Sequence, residues 1–153
     1  MLTSLYDLKS GISHLTDEAL AKMAILSTKT AVATKATSEE MGKLFALGYG
    51  LFRKEFDSDS DFAEKLSTAI AHTVQSARTT GSDIYSGLAT LGSSANAFKL
   101  PFAQQMAILG LAKEGYDTAS EAATGLTGLL NSLVRGQEGL LSLIHISEPT
   151  RPY

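Results

Sequence analysis

The sequence has 153 residues, which is enough for one modest domain. Its formal net charge of −3 argues against a dedicated nucleic-acid binder, because such proteins concentrate Lys and Arg on one surface. It contains no cysteine, which excludes disulfide frameworks, thiolate metal sites and cysteine nucleophiles.

The beginning of the chain lacks the charged segment and apolar core of a secretory signal. The longest uncharged runs are too short and too polar to span a bilayer, which takes about 20 apolar residues. We therefore expect a soluble protein.

Apolar residues recur at steps of three and four along most of the chain, and they hardly ever alternate. This spacing predicts helices and almost no strands. We expect a mainly α fold of about six short helices stacked as helical hairpins, with no sheet, after a short lead-in at residues 2–10.

The first predicted helix lies within residues 15–36. Its narrow seam of small residues, suited to close helix packing, consists of Ala19, Met23, Leu26, Thr30 and Ala33. The second helix runs from about Ser38 to Glu55 and opens with Thr37 and Glu40 in capping-box spacing. Its apolar stripe consists of Met41, Leu44, Phe45 and Phe52.

The third predicted helix lies within residues 58–81, where Asp61 and Glu64 have capping-box spacing and Gly81 is typical of a helix end. Its shared face consists of Phe62, Leu66, Ile70, Thr73 and Ala77. The fourth helix is short, with Ser82 as the expected N-cap. Its apolar side consists of Ile84, Leu88, Leu91 and Ala95.

Two further helices complete the predicted set. Pro101 in a first turn and Gly115 at the end bound the fifth helix. Thr118 and Glu121, again in capping-box spacing, open the sixth helix over residues 119–134.

The polar residues show no pattern of a catalytic or metal site. His14 stands alone, His72 flanks an apolar helix face without a second ligand at suitable spacing, and His145 lies near the end of the chain. Helix ends account for the side chains that could otherwise suggest catalysis, namely Asp61, Glu64, Thr118 and Glu121. We expect no enzyme activity, no cofactor and no metal.

The composition changes after Leu140. Residues 141–151, LSLIHISEPTR, resemble the translation of the DNA adaptor used in transposase-based sequencing-library preparation, and the next adaptor base is compatible with Pro152. We therefore expect residues 1–140 to be native and residues 141–153 to be an adaptor-derived, non-native tail. On this interpretation the native reading frame continues beyond residue 140.

Ordered short segments between Thr30 and Leu133 are similar to the core region of phage tail tape measure proteins. The segments are Ala33, Thr34, Ala36, Glu39 and Glu40; Thr80 and Gly81; Leu91, Gly92 and Ala95; Gln105, Ile108, Leu109 and Gly110; and Ser120 to Leu126. The family often has Ala-Gly where this chain has Ala122 and Ala123.

The resemblance implies a structural protein that lies inside the growing tail tube, sets tail length and leaves during DNA delivery. Implied partners are the tail tube protein, tail assembly chaperones and other copies of the chain, with no specific nucleic acid and with host membrane contact during ejection. The implied locations are the tail tube lumen and, during assembly, the host cytoplasm. The frequent glycines and helix caps favour a compact cluster of hairpins over one long rod.

An alternative is a membrane-active or secreted small helical protein, because residues 100–112 and 125–134 are apolar enough to lie on a bilayer surface. Neither segment has the Lys- and Arg-rich polar face that is usual for interfacial helices.

Overall fold

The computed structural model describes residues 2–12 and 15–146. Helices fill most of these residues, and no strand occurs among them. The seven α-helices are α1 (Leu2–Gly11), α2 (Asp17–Thr34), α3 (Ser38–Phe52), α4 (Asp59–Ser76), α5 (Gly81–Ala97), α6 (Phe102–Lys113) and α7 (Ala119–Ile146). A 3-10 turn, Arg53–Glu55, directly follows α3. The predicted mainly α class is confirmed, and the lead-in is helical as well.

The helices form two layers. In one layer α1 packs on α3, α3 on α5, and α5 on α7; in the other, α2 packs on α4, and α4 on α6. Neighbouring helices such as α1 and α2, α2 and α3, and α6 and α7 also pack against each other across the layers. This arrangement is a stack of helical hairpins, as the sequence predicts.

Two predicted capping boxes are confirmed. At the start of α3, the Thr37 hydroxyl accepts a hydrogen bond from the Glu40 N–H at 3.1 Å, and the Glu40 carboxylate accepts one from the Thr37 N–H at 3.0 Å. Thr118 and Glu121 exchange the equivalent bonds, at 3.2 and 3.3 Å, at the start of α7. Each box satisfies backbone donors that have no partner within the helix.

The start predicted for α4 from Asp61 and Glu64 is wrong. Ser58 is the N-cap, and its hydroxyl accepts from the Asp61 N–H at 3.1 Å. The Glu64 carboxylate instead pairs with Lys22 of α2 at 2.7 Å. Several Ser and Asp residues precede this helix, and the cap is the one that the preceding chain holds in an extended conformation.

The start predicted for α5 is also wrong, because Thr80 and not Ser82 is the N-cap. The prediction that α4 ends at Gly81 is wrong as well. α4 ends at Ser76, the left-handed residue in the connection is Arg78 with φ 51°, and Gly81 opens α5. Gly81 is buried where a Cβ would clash with Thr34 and would lie 2.9 Å from the Ala36 Cβ, so close packing explains this glycine.

The remaining helix ends differ from the predictions by a few residues. α3 ends at Phe52, and the chain continues to Glu55 as a 3-10 turn. α6 begins directly after Pro101 and ends at Lys113, two positions before Gly115. Short terminal turns of this kind are common where the chain changes direction.

The apolar faces predicted for α3, α4 and α5 form the core, and of their residues only Ala77 is not fully buried. The face predicted for α2 is correct only in part: Met23 and Thr30 are buried and Leu26 packs against the core, but Ala33 is exposed. The buried residues of α2 are Leu20, Met23, Ala24, Ser27, Thr30, Ala31 and Thr34. The three hydroxyls among them each bond to a backbone carbonyl of the same helix, which lowers the cost of burial.

α7 continues beyond the predicted end at residue 134 and through the predicted boundary at residue 140, to Ile146. The side chains at 131–136 are all exposed, so this part of α7 extends past the packed layers. Residues 147–153, most of the predicted adaptor-derived tail, lie outside the described residues. Among the described helices, none combines the length and apolar character needed to cross a membrane.

Candidate interaction surface

Two carboxylates connect helix starts that are far apart in sequence. The Glu40 carboxylate at the start of α3 accepts from the Ser82 hydroxyl of α5 at 2.7 Å. The Asp83 carboxylate near the start of α5 accepts from the Ala119 N–H, the first of α7, at 2.8 Å. These bonds fix the relative positions of successive helices in one layer.

These hydrogen bonds also affect the pKa of the Glu40 carboxyl. Hydrogen bonds from Ser82 and from the N–H and hydroxyl of Thr37 stabilise the charged form and hold its pKa below the ordinary value, although partial burial acts in the opposite direction. The carboxylate therefore contributes to both the local cap and the α3–α5 contact.

A third long-range carboxylate contact lies at the start of α6. Pro101 precedes α6 and supplies no side-chain cap. The Glu55 carboxylate, from the 3-10 turn after α3, accepts from the Phe102 N–H at 2.9 Å. An acid from another part of the chain thus satisfies the first donor of α6 and lies at the positive end of its dipole.

A small polar cluster lies beside this turn. Asp59 accepts hydrogen bonds from Arg53 and from the Tyr49 hydroxyl. The bond to Asp59 raises the pKa of the Arg53 guanidinium. Burial raises the pKa of the Tyr49 phenol, and Asp59 adds to this effect. The cluster holds the α3–α4 connection in place and has the geometry of a structural ion pair.

A groove of about 910 Å³ lies between α4 and α6. Its apolar lining includes Phe56, Ala69, Phe102, Met106, Ala107 and Leu111. The side chain of Leu111 is 70% exposed, which is unusual for a large apolar residue that lies among other apolar residues. Its volume lies within the range of about 300–1,000 Å³ that is usual for binding pockets in proteins.

The rim of the groove is mainly acidic. It carries the carboxylates of Glu55, Asp61, Glu64 and Glu114, together with Lys65. Lys65 pairs with Asp61 at 2.9 Å, and this bond raises the pKa of the Lys65 ammonium. An apolar floor with charged edges is typical of a surface that binds another protein.

Among the described side chains, no group of three or more His, Asp or Glu residues is placed to hold a metal ion. His72, which flanks the apolar face of α4, is exposed and is among the residues that line the groove. His14 and the side chain of His145 lie outside what the structure describes. The predicted absence of catalytic, cofactor and metal residues stays a prediction.

The sequence matches the model of the phage-related minor tail protein family over residues 2–147. The chain belongs to this family. As a phage-related minor tail protein it has a structural role in the phage tail and is a component of the virion. No curated protein matches the sequence, and no solved structure matches it. The family match extends past residue 140, while the boundary predicted there stays a prediction.

Sequence reasoning missed the groove and the long-range carboxylate contacts of this minor tail protein. The sequence does contain one local signal for the helix starts at which these carboxylates lie. A Thr occurs three positions before an acidic residue at Thr37, Thr80 and Thr118. All three are N-caps of helices in the same layer. The partners of Glu55 and Asp83 carry no local signal, because those partners are backbone N–H groups of distant residues.

Proposed function

We propose that this chain is part of a tail tape measure protein, which lies in the lumen of the tail tube and takes part in setting tail length. The observation that carries the proposal is membership of the phage-related minor tail protein family over residues 2–147. The ordered segments between Thr30 and Leu133 that resemble the tape measure core region support the finer assignment.

Within this role the chain acts as a compact module and not as the extended ruler. A continuous helix of about 40 residues spans about 60 Å. In the stack observed here a helical hairpin of similar length adds one helix to each layer, and packed helices lie about 8–10 Å apart. Each residue of this module therefore accounts for much less tube length than a residue of a continuous helix does.

In-frame deletions of equal size in the phage gene test the proposal. We expect deletions in continuous helical parts of the tape measure protein to shorten the tail by about 1.5 Å per residue, measured by electron microscopy. Deletion of one hairpin of this module should shorten the tail by much less than about 1.5 Å per deleted residue. If no deletion anywhere in the gene changed tail length, the tape measure role would be wrong.

The proposed partners are the tail tube protein, tail assembly chaperones and other copies of the chain, and the groove between α4 and α6 is the surface at which we expect contact. A membrane-active role is the alternative. Strong, salt-insensitive co-sedimentation of residues 1–140 with liposomes, without incorporation into tails, would favour that alternative.

A further inference from the structure

Helices α5 and α7 begin with the same sequence pattern. Residues 80–91 read TGSDIYSGLATL and residues 118–129 read TASEAATGLTGL. Both segments have Thr at the N-cap, Ser third, an acid fourth, Gly eighth, and Leu ninth and twelfth. The two helices lie next to each other in one layer, so the pattern occurs once on each side of the same interface.

The outer face of α5 holds the first turn of α7. Asp83 accepts from the Ala119 N–H at 2.8 Å. A Cβ at Gly87 would lie 2.8 Å from the Ala119 Cβ, so the contact requires glycine on α5 and a small residue on α7. The hydroxyls of Thr90 and Ser120 are 3.4 Å apart. The contact between α5 and α7 thus depends on an acidic residue and a glycine of α5, Asp83 and Gly87, and on a small first residue of α7, Ala119.

The positions of α7 that correspond to Asp83, Gly87 and Thr90 are Glu121, Gly125 and Gly128. Together with Leu129, which corresponds to the buried Leu91 of α5, we name them the α7 outer face. Glu121 and Gly128 are exposed, and Leu129 is 57% exposed. Leu133, one turn further along, is 60% exposed. The α7 outer face therefore continues the pattern that forms the α5–α7 interface, and its apolar part is uncovered.

One side chain covers the centre of this face. The Tyr116 hydroxyl lies 2.6 Å from where a Cβ of Gly125 would be, which is the place that Ala119 takes on Gly87. Tyr116 belongs to the connection between α6 and α7 and is itself 48% exposed. A half-exposed side chain in a connecting segment can move aside more easily than a packed helix.

We propose that the α7 outer face is a docking site for the first turn of a partner helix that begins Thr-small-Ser-acid, as α7 itself does, with Tyr116 as a displaceable cover. The partner is a separate helix. In a folded second copy the corresponding turns of α5 and α7 are already packed against α3 and α5. The proposal rests on the repeated interface and does not depend on the tape measure role.

A labelled peptide with the sequence of residues 117–134 is the probe, and fluorescence anisotropy with the full chain is the measurement. We expect Gly125→Leu to weaken binding by about tenfold or more, because a large side chain would fill the closest contact. Tyr116→Ala should tighten binding by about threefold or more, because the free protein then no longer covers the site. The two substitutions therefore have opposite expected signs.

Matched controls separate docking from other effects. Gly50 is exposed on α3 with no atom within 4 Å of an added Cβ, so Gly50→Leu should leave peptide binding unchanged. A peptide with Leu at the position of Ala119 should bind weakly, and circular dichroism should show that each protein variant is folded. The proposal would be overturned if neither Gly125→Leu nor Tyr116→Ala changed the affinity for the peptide. The peptide would then bind to α5 in place of the chain's own α7, and not to the α7 outer face. Absence of binding to the Tyr116→Ala protein would overturn it as well.

Discussion

The carboxylate of Glu55 accepts a hydrogen bond from the backbone N–H of Phe102 at 2.9 Å, although the two residues are 47 positions apart. This bond caps a helix that begins after proline and has no local side-chain cap. It also joins the end of α3 to the start of α6, close to the apolar groove.

We expect Glu55→Ala to lower the free energy of unfolding by about 1 kcal/mol, which is typical for loss of an N-cap. Urea denaturation followed by circular dichroism measures the change. Glu55→Gln, which keeps an acceptor oxygen, should lose less. Lys54→Ala at the exposed neighbouring position is the control, and an equal loss there would contradict the capping role.

Two glycine substitutions should have opposite effects on stability. Gly87→Ala places a Cβ 2.8 Å from the Ala119 Cβ and 2.9 Å from the Ala119 carbonyl oxygen, so we expect a loss of about 1–3 kcal/mol from overpacking. Gly50→Ala meets no atom within 4 Å and should stabilise the protein by about 0.5–1 kcal/mol through helix propensity. Thermal unfolding of both variants measures these changes, and stabilisation by Gly87→Ala would contradict the close α5–α7 contact.

The lowered pKa of Glu40 predicts a dependence of stability on pH. Because the folded-state pKa lies below the ordinary value of 4.5, the contribution is fully present above that value and is lost as pH falls through the lowered pKa. Unfolding of the wild type and Glu40→Gln at pH 7 and at acid pH should show a difference that shrinks with acidification. Ser82→Ala should reduce the pH-dependent part, and a wild-type advantage that grew at low pH would contradict the arrangement.

Removal of residues 141–153 should leave the melting temperature unchanged, because α7 already extends past the packed layers at residues 131–136. Removal from residue 126 onward is the matched comparison. That truncation deletes Leu126 and Leu130, which pack on the core, and should lower the melting temperature. A clear loss of stability on removal of 141–153 alone would contradict the prediction that this segment is foreign. Adaptor-trimmed resequencing through codon 140 tests the same point at the DNA level.

Photo-crosslinking in assembling phage tails tests the groove. A photoreactive residue at Ala107, an exposed position in the groove, should give crosslinks to a tail protein, which mass spectrometry identifies. Ser86 is exposed on α5 and does not line the groove, so the same residue there should give few crosslinks. Equal crosslinking at both positions would contradict a specific role for the groove.

The sequence by itself determined the class, the number of main helices and most of their buried faces. Capping boxes and apolar spacing act within one or two helical turns, so the starts of α3 and α7 could be read without knowledge of their neighbours. Where several capping residues stood in a row, as before α4 and α5, local chemistry left the start ambiguous, and the predictions from Glu64 and Ser82 were wrong.

The tertiary structure alone decided which face of α2 is buried, which acid caps which distant helix, and where the groove lies. α2 contacts helices in both layers, so its buried face follows their placement more than its own seam of small residues. Glu55 and Asp83 accept hydrogen bonds from backbone N–H groups, and almost every residue has such a group, so the sequence does not indicate which one is the partner. Such contacts depend on how the layers stack, because hydrogen bonding and packing at these positions are set by residues far away along the chain.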